Sequence, residues 1–362
     1  MIGKPAKILA LEPYYGGSHR NFLDGLAVLF PDTIDLISLP ARKWKWRMRL
    51  SGPWLATELA KVTDPGRYSC LLCSTFVDVA SLKGLAPEWA ARLPVCTYFH
   101  ENQFAYPVQV QNERDFHFAL TNVTTALASD RLAFNSQYNL DSFLTGCRQL
   151  LKKSYDMHLS DIEQVVRAKS IVINPGQDFT LIDQHNNLAG EGGPPVIVWN
   201  HRWEHDKNPE RFFKVLFELE RRQVDFELIV LGESFRDHPH IFDEAKKRLA
   251  SRIVRFGYAE SREDYVRWLR QGDLVISTAN HEFFGISVIE AVRAGCRPLL
   301  PRRLSYPELF PGQYLYEDDA LTDKIIESLG RGRLSETEAL ELTNDYSWQA
   351  LSGVYRDWLG LR

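Results

Sequence analysis

The fold of this chain is decided by His281-Glu282-Phe283-Phe284-Gly285-Ile286-Ser287-Val288-Ile289-Glu290-Ala291. It follows Asp273-Leu274-Val275-Ile276-Ser277-Thr278, an apolar run that reads as a buried parallel strand. Gly285 is a natural turn point, and Ile286 to Ala294 reads as a helix with Gly295 just past its end. Glu282 then sits on the loop above the sheet, and Glu290 in the second turn of the helix. Between them, the amides around Phe284, Gly285 and Ile286 point out of a helix N-terminus, which attracts phosphate or another anion. One carboxylate beside the anion and one further back can hold the hydroxyls of two sugars, as a sugar nucleotide requires. Two solvated carboxylates at chance spacing would look the same, so the rest of the chain has to decide.

Working outward toward the C-terminus, Cys296 to Pro301 is the last expected strand and Ser347 to Leu361 a terminal helix. Toward the N-terminus, strands are expected at Ile253 to Tyr258, Phe226 to Leu231 and Val196 to Trp199. Gly232-Glu233-Ser234-Phe235 follows one of these strands and would border a bound base. Asn200 to Pro209 follows another. Arg202 and Lys207, five apart in that loop, can clamp a diphosphate, the arginine by its fork and the lysine as a point charge. A solvated charged loop is the plainer reading, although Asn208-Pro209 at the next helix start argues for order.

A second strand-loop-helix series occupies the first half. Strands are expected at Lys7 to Leu11, Thr33 to Leu39, Tyr68 to Ser74, Pro94 to Phe99, Arg131 to Ser136 and Ser170 to Ile173. Helices are expected from about Arg20 to Phe30, Glu113 to Ala128 and Asp141 to Leu150. Gly16-Gly17 after the first strand lets the backbone approach a ligand closely, or simply makes a tight turn. His19 beside it is a ligand contact or an ordinary residue of a helix N-terminus. His100-Glu101-Asn102-Gln103 closes the fourth strand, where α/β sheets bind ligands. The fold class is therefore α/β, with two doubly wound domains. We expect an N-terminal domain over 1–180, a linker over 181–195, a second domain over 196–345, and a C-terminal segment over 346–362.

Length and composition bound the function. The chain has 362 residues and a net charge of −4, so any nucleic-acid site must be local. No apolar run reaches the ~20 residues of a membrane span, and Met1-Ile2-Gly3-Lys4-Pro5 does not read as a signal peptide. There are five cysteines. Cys70 and Cys73 form one C-x-x-C pair without a partner set at zinc spacing, so they read as buried thiols of a cytoplasmic protein. One local exception to the acidic balance stands out. Arg42, Lys43, Lys45, Arg47 and Arg49 interleave with Trp44 and Trp46, a mixture suited to phosphates and stacked bases. An amphipathic stretch with its tryptophans packed inward fits the same composition; against the acidic background we favour RNA contact.

Glu282-x7-Glu290 resembles the motif of retaining GT-B glycosyltransferases. Five blocks together are more specific: Glu12 to His19, Leu39 to Trp44, Tyr98 to Gln103, His201 to Lys207 and His281 to Gly285. They resemble the blocks of the tRNA-queuosine mannosyltransferases, GT-B enzymes of the glycosyltransferase-4 type. The resemblance implies two Rossmann-like domains facing across a cleft, with the terminal helix crossing back to the first. It implies GDP-mannose as donor and queuosine, at the wobble position of tRNA-Asp, as acceptor. Arg202 and Lys207 would hold the diphosphate, Glu290 the donor ribose, and Glu282 with the amides near Phe284 and Gly285 the hexose. Gly16 and Gly17 would approach the diphosphate, Gly232 and Glu233 would border the donor, and His100 the sugar. The acceptor would meet His19, Asn102, Gln103 and the Arg42 to Arg47 stretch. No cofactor or metal is implied, because no D-x-D stands in a matching loop. Two rivals stay open: a transferase acting on a lipid, polysaccharide or small molecule, and a silent module that only binds RNA.

Overall fold

The computed structural model describes residues 7–106, 116–152, 156, 159, 161–184, 192–234 and 238–361. Met1 to Pro5, the helix onset at Glu113, Phe235 and residues 185–191 of the expected linker lie outside the described residues. The chain forms two compact units, Met1–Gly176 with Trp348–Arg362, and Gln177–Ser347.

In the first unit, β1 (Lys7–Tyr15), β2 (Ile34–Pro40), β3 (Tyr68–Ser74), β4 (Val95–Phe99), β5 (Arg131–Phe134) and β6 (Ser170–Val172) form one parallel sheet. Their order is β2-β1-β3-β4-β5-β6, so the winding reverses between β1 and β3. Helix α1 (Gly17–Leu29) follows β1, and α2 (Trp44–Leu59) follows β2. The sequence pattern does not announce α2, because Gly52 and Pro53 interrupt it. Strand β1 runs four residues past Leu11, carrying Glu12 to its carboxyl end. Cys70 and Cys73 are three apart on β3 and enter different core clusters, since side chains alternate across a strand. They cannot converge on one ion.

In the second unit, β7 (Val196–Trp199), β8 (Glu227–Leu231), β9 (Ile253–Gly257), β10 (Leu274–Ile276), β11 (Arg297–Pro301) and β12 (Leu315–Tyr316) again form a parallel sheet. The order is β12-β11-β10-β7-β8-β9, reversing between β7 and β10. The two-residue β12 has no sequence signature and is an addition to the expected strands. In such sheets ligands bind outside the strands' carboxyl ends at the point of reversal. The Asn200 and Ser277 loops leave the sheet there.

The domain boundaries differ from those expected. Residues 177–184 belong to the second unit: Phe179 and Ile182 are buried in its core, and Arg270 donates to the Ile182 carbonyl. Phe179, just before the single helical turn Thr180–Asp183, and Ile182 within it hold this stretch in place. The terminal helix Trp348–Leu359 belongs to the first unit. Its Tyr355, Trp358 and Leu359 are buried beside Ile8, Phe22 and Tyr98. Tyr355 Oη donates to the Asn174 carbonyl at 2.8 Å, and Arg131 donates to the Trp358 carbonyl at 2.7 Å. Truncating a buried indole leaves a cavity that a close-packed sheet cannot collapse around. Trp358→Ala should therefore destabilise the first unit by about 3–5 kcal/mol, read by chemical denaturation.

Candidate functional site

The loop after β7 turns through a short helical turn, His205–Lys207, and ends on Asn208, whose backbone is left-handed (φ 51°). The Asn208 side chain caps the helix Pro209–Arg221 by accepting from the Arg211 amide at 3.3 Å. This loop is tied to the one after β10. Thr278 Oγ1 donates to the carbonyls of Lys207 and Asn208, both at 3.0 Å, and the Asn280 amide to the Asp206 carbonyl at 2.8 Å.

Lys207 consequently points inward. Its Nζ donates to the His281 carbonyl at 2.8 Å and pairs with Asp206 at 3.0 Å and Glu282 at 3.3 Å. Burial works against the charge, but Glu282 and Asp206 outweigh it and raise the lysine pKa. Burial likewise opposes ionisation of Glu282, and Lys207 brings it below the usual carboxylate range. Arg202, on the same loop, is about half exposed and pairs with Glu204 at 3.0 Å. The two cations expected to clamp a diphosphate are thus held differently: the arginine lies at the surface, and the lysine is locked between carboxylates. Neighbouring His201 is pushed down to about 4, first by burial and then by the Lys207 charge, so it is neutral at physiological pH.

Gly285 has φ 105°, a conformation that favours glycine, and it starts the helix Ile286–Arg293. The Phe284 amide donates to Glu282 at 3.4 Å, and Ser305 Oγ to the Phe284 carbonyl at 3.0 Å. Ile286 opens the helix, partly buried. Glu290, buried in the second turn, accepts from Arg262 at 2.5 Å and from Tyr265 Oη at 3.0 Å. Asn200 Nδ2 reaches Tyr265 Oη at 2.9 Å and the Ser287 carbonyl at 2.7 Å. Sequence reasoning missed Asn200, Arg262 and Tyr265. Arg262 and Tyr265 come from a different helix, Arg262–Arg270, and nothing local marks them. Gly232 also has a structural reason: a Cβ there would lie 1.9 Å from the His201 carbonyl oxygen. The exposed Glu233 accepts from the Trp203 amide at 3.0 Å through its carbonyl.

The first unit has its own cluster at the carboxyl ends of β1, β3 and β4. Gly16 precedes α1 and Gly17 opens it, which sets His19 in the first turn. His19 is buried, with Nδ1 2.9 Å from Glu12 Oε2 and Nε2 3.4 Å from Glu101 Oε2. Thr75 Oγ1 donates to the other Glu101 oxygen at 2.9 Å, and the Tyr14 amide to Glu12 at 2.8 Å. Burial lowers the imidazole pKa, but the two carboxylates overcome it and raise His19 to about 10. His100 stacks on His19 with ring centroids 4.1 Å apart. Burial and the His19 charge hold it well below the ordinary histidine value.

Residues 7–177 match the family model for the tRNA-queuosine alpha-mannosyltransferase N-terminal domain, and residues 182–312 the model for glycosyl transferases group 1. The tRNA-queuosine alpha-mannosyltransferase of Drosophila melanogaster is 37% identical over 327 residues, 88% of this chain and 85% of that protein. This chain belongs to the tRNA-queuosine alpha-mannosyltransferase family. Its fold is the two-domain GT-B fold. HepE of Anabaena, solved in complex with UDP, is 16% identical with a TM-score of 0.71, covering 98% of this chain and 99% of that one. Sucrose-phosphate synthase of Thermosynechococcus elongatus is 14% identical with a TM-score of 0.69, covering 98% and 100%.

Against the family's expected acceptor side, the structure divides the residues read from sequence. Asn102 is fully buried. Its Nδ2 donates to Asn139 and Ser142, and its Oδ1 accepts from the Phe104 and Ala105 amides. With its hydrogen-bonding groups engaged inside the fold it is a strut of the loop, and the expected acceptor contact is corrected. Gln103 is buried, its amide donating to Asn122 at 2.9 Å. His19 is likewise too enclosed to meet a bulky acceptor directly. Trp44 packs inward, 5.2 Å from Phe118, whereas Trp46 is 58% exposed. The two tryptophans thus split the two readings of their stretch. Arg42, Lys43 and Lys45 are exposed, and Arg47 donates to the Pro40 carbonyl at 3.3 Å.

Two outcomes follow from this electrostatic arrangement. Lys207→Ala leaves Asp206 and Glu282 without their cation and should cost about 3–5 kcal/mol of stability. Arg202→Ala, which breaks an exposed pair, should cost ~1 kcal/mol or less; chemical denaturation of both variants checks the contrast. His19 titrates above its unfolded value, so its stabilisation is complete below about pH 6.5 and is lost as pH rises toward its folded pKa of about 10. The loss is at most ~1.4 kcal/mol per pH unit. NMR titration of the His19 ring should show this high midpoint, and Glu12→Gln should lower it.

Proposed function

We propose that this chain is a retaining glycosyltransferase that moves mannose from GDP-mannose to queuosine at the wobble position of tRNA-Asp. The observation that carries the reading is the 37% identity, across 88% of the chain, to a protein named tRNA-queuosine alpha-mannosyltransferase. The donor base, the particular tRNA and the site roles are part of the proposal.

The chemistry fits the residues of the second unit. Glu290 uses lone pairs on Arg262 and Tyr265 and keeps others for the ribose hydroxyls. Glu282, fixed by Lys207 and the Phe284 amide, orients the hexose hydroxyls. The amides at the start of the helix Ile286–Arg293 face the diphosphate, and Arg202 leaves Glu204 to bind it. As the bond between the sugar C1 and the diphosphate oxygen breaks, negative charge grows on the leaving group. Arg202 and Lys207 stabilise that charge more than they stabilise the bound donor. The acceptor oxygen bonds to C1 on the face the diphosphate leaves, and its proton passes to a phosphate oxygen. No covalent enzyme intermediate and no metal enter this scheme. Among the described residues no helix is long and apolar enough to cross a membrane. The proposal sets the reaction in the cytoplasm, with its RNA substrate.

The test is incubation with queuosine-containing and queuosine-lacking tRNA, each with several sugar nucleotides, followed by nucleoside mass spectrometry. Hexose should appear only on queuosine and only with GDP-mannose. Transfer to a lipid, polysaccharide or small molecule, or from another donor alone, refutes the reading. Arg202→Ala should lose about 3 kcal/mol of transition-state stabilisation, ~10²-fold in turnover at saturating donor.

A further inference from the structure

One groove of the first unit is left unexplained by the donor chemistry. It lies between the end of β2 and α2, has a volume of about 430 Å³, and is lined by Leu39, Arg42, Lys43, Trp46, Leu50 and Trp54 among others. That size suits a small ring system. Trp46 and Leu50, four residues apart, stand outward on α2, while Trp54, four further on, lines the groove and is partly buried against the core. Met48, Leu55 and Leu59 form the buried stripe against the core. Trp46 and Leu50 are 58% and 53% exposed, apolar surface left uncovered among the described residues.

Charge at the rim indicates the occupant. Arg42, Lys43, Lys45 and Arg47 make no ion pair with a carboxylate among the described residues. The first turn of α2 holds no acidic residue, and no side chain caps its amides. Elsewhere the chain pairs its cations heavily, and its net charge is −4. A concave, aromatic-lined groove with unneutralised cations and helix amides at its edge matches a nucleotide whose base is out of the stack. Duplex RNA would use the cations and leave the indole idle. A bilayer would need a broad flat apolar face rather than a groove.

We propose that this groove takes an unstacked base of the tRNA, stacked on Trp46, with the flanking phosphates on Arg42, Lys43 and the first turn of α2. The inference deepens the proposed function and rests on its tRNA acceptor.

The experiment measures affinity for queuosine-containing tRNA across a salt series, for the parent, Trp46→Ala, Trp46→Phe and the double variant Arg42→Ala/Lys43→Ala. Melting temperature serves as the fold control. Trp46→Ala should weaken binding about ten-fold at every salt concentration, and Trp46→Phe should recover most of it. The double variant should flatten the slope of log affinity against log salt by roughly 1.4. Unchanged affinity in folded Trp46→Ala, with the parent binding tRNA, overturns the groove assignment and leaves the proposed function standing. A parent that binds no tRNA overturns both. Lost binding of Trp46→Ala to anionic phospholipid vesicles, with tRNA affinity intact, makes the groove a membrane contact and also overturns the assignment.

Discussion

The buried ammonium of Lys207 is the interaction on which the second unit's site depends. A cation taken out of water is stable only when opposite charges and hydrogen-bond acceptors surround it. Asp206, Glu282 and the His281 carbonyl do so here. These partners come from two loops, leaving β7 and β10, which the strand order makes neighbours. Satisfying one lysine therefore sets the position of Glu282, and with it the turn through Gly285 into the following helix. Thr278 closes the same junction through the backbone.

The first unit solves a similar problem with different groups. His19 is buried between Glu12 and Glu101, and its second partner, Glu101, is braced by Thr75. Its point of reversal lies between β1 and β3, which supply Glu12 and lead to Thr75. Each unit thus sets one cation between two carboxylates at the carboxyl edge of its sheet. His100, stacked on His19, stays neutral because burial opposes a charge there and the charged His19 beside it adds repulsion.

The basic stretch behaves in the opposite way. Arg42, Lys43, Lys45 and Arg47 make no ion pair with a carboxylate among the described residues, and one of the stretch's tryptophans faces solvent. Helical geometry accounts for this. Residues two apart on a helix lie about 200° around the axis from each other, so Trp44 can pack on Phe118 only if Trp46 turns away.

Much of the architecture was legible in the sequence, because apolar runs broken by turn residues report strands locally. Among the described residues, eleven of the twelve strands follow from such runs; two-residue β12 does not, and neither does α2 with its internal Gly-Pro. The motif loops carrying Arg202, Lys207, Glu282, Gly285 and Glu290 were legible for the same reason, since each follows a strand. What the sequence could not show is which groups share a charge. Arg262 and Tyr265 meet Glu290 from more than twenty residues away, and Glu12 and Glu101 meet His19 from different strand ends. The sequence determined eleven of the strands and the motif loops that carry the candidate residues. Tertiary structure decided that Lys207 is locked while Arg202 is exposed, that Asn102 is a strut, and that Trp46 rather than Trp44 meets solvent. Burial and charge pairing depend on distances through space, and those exist only after the sheets have formed.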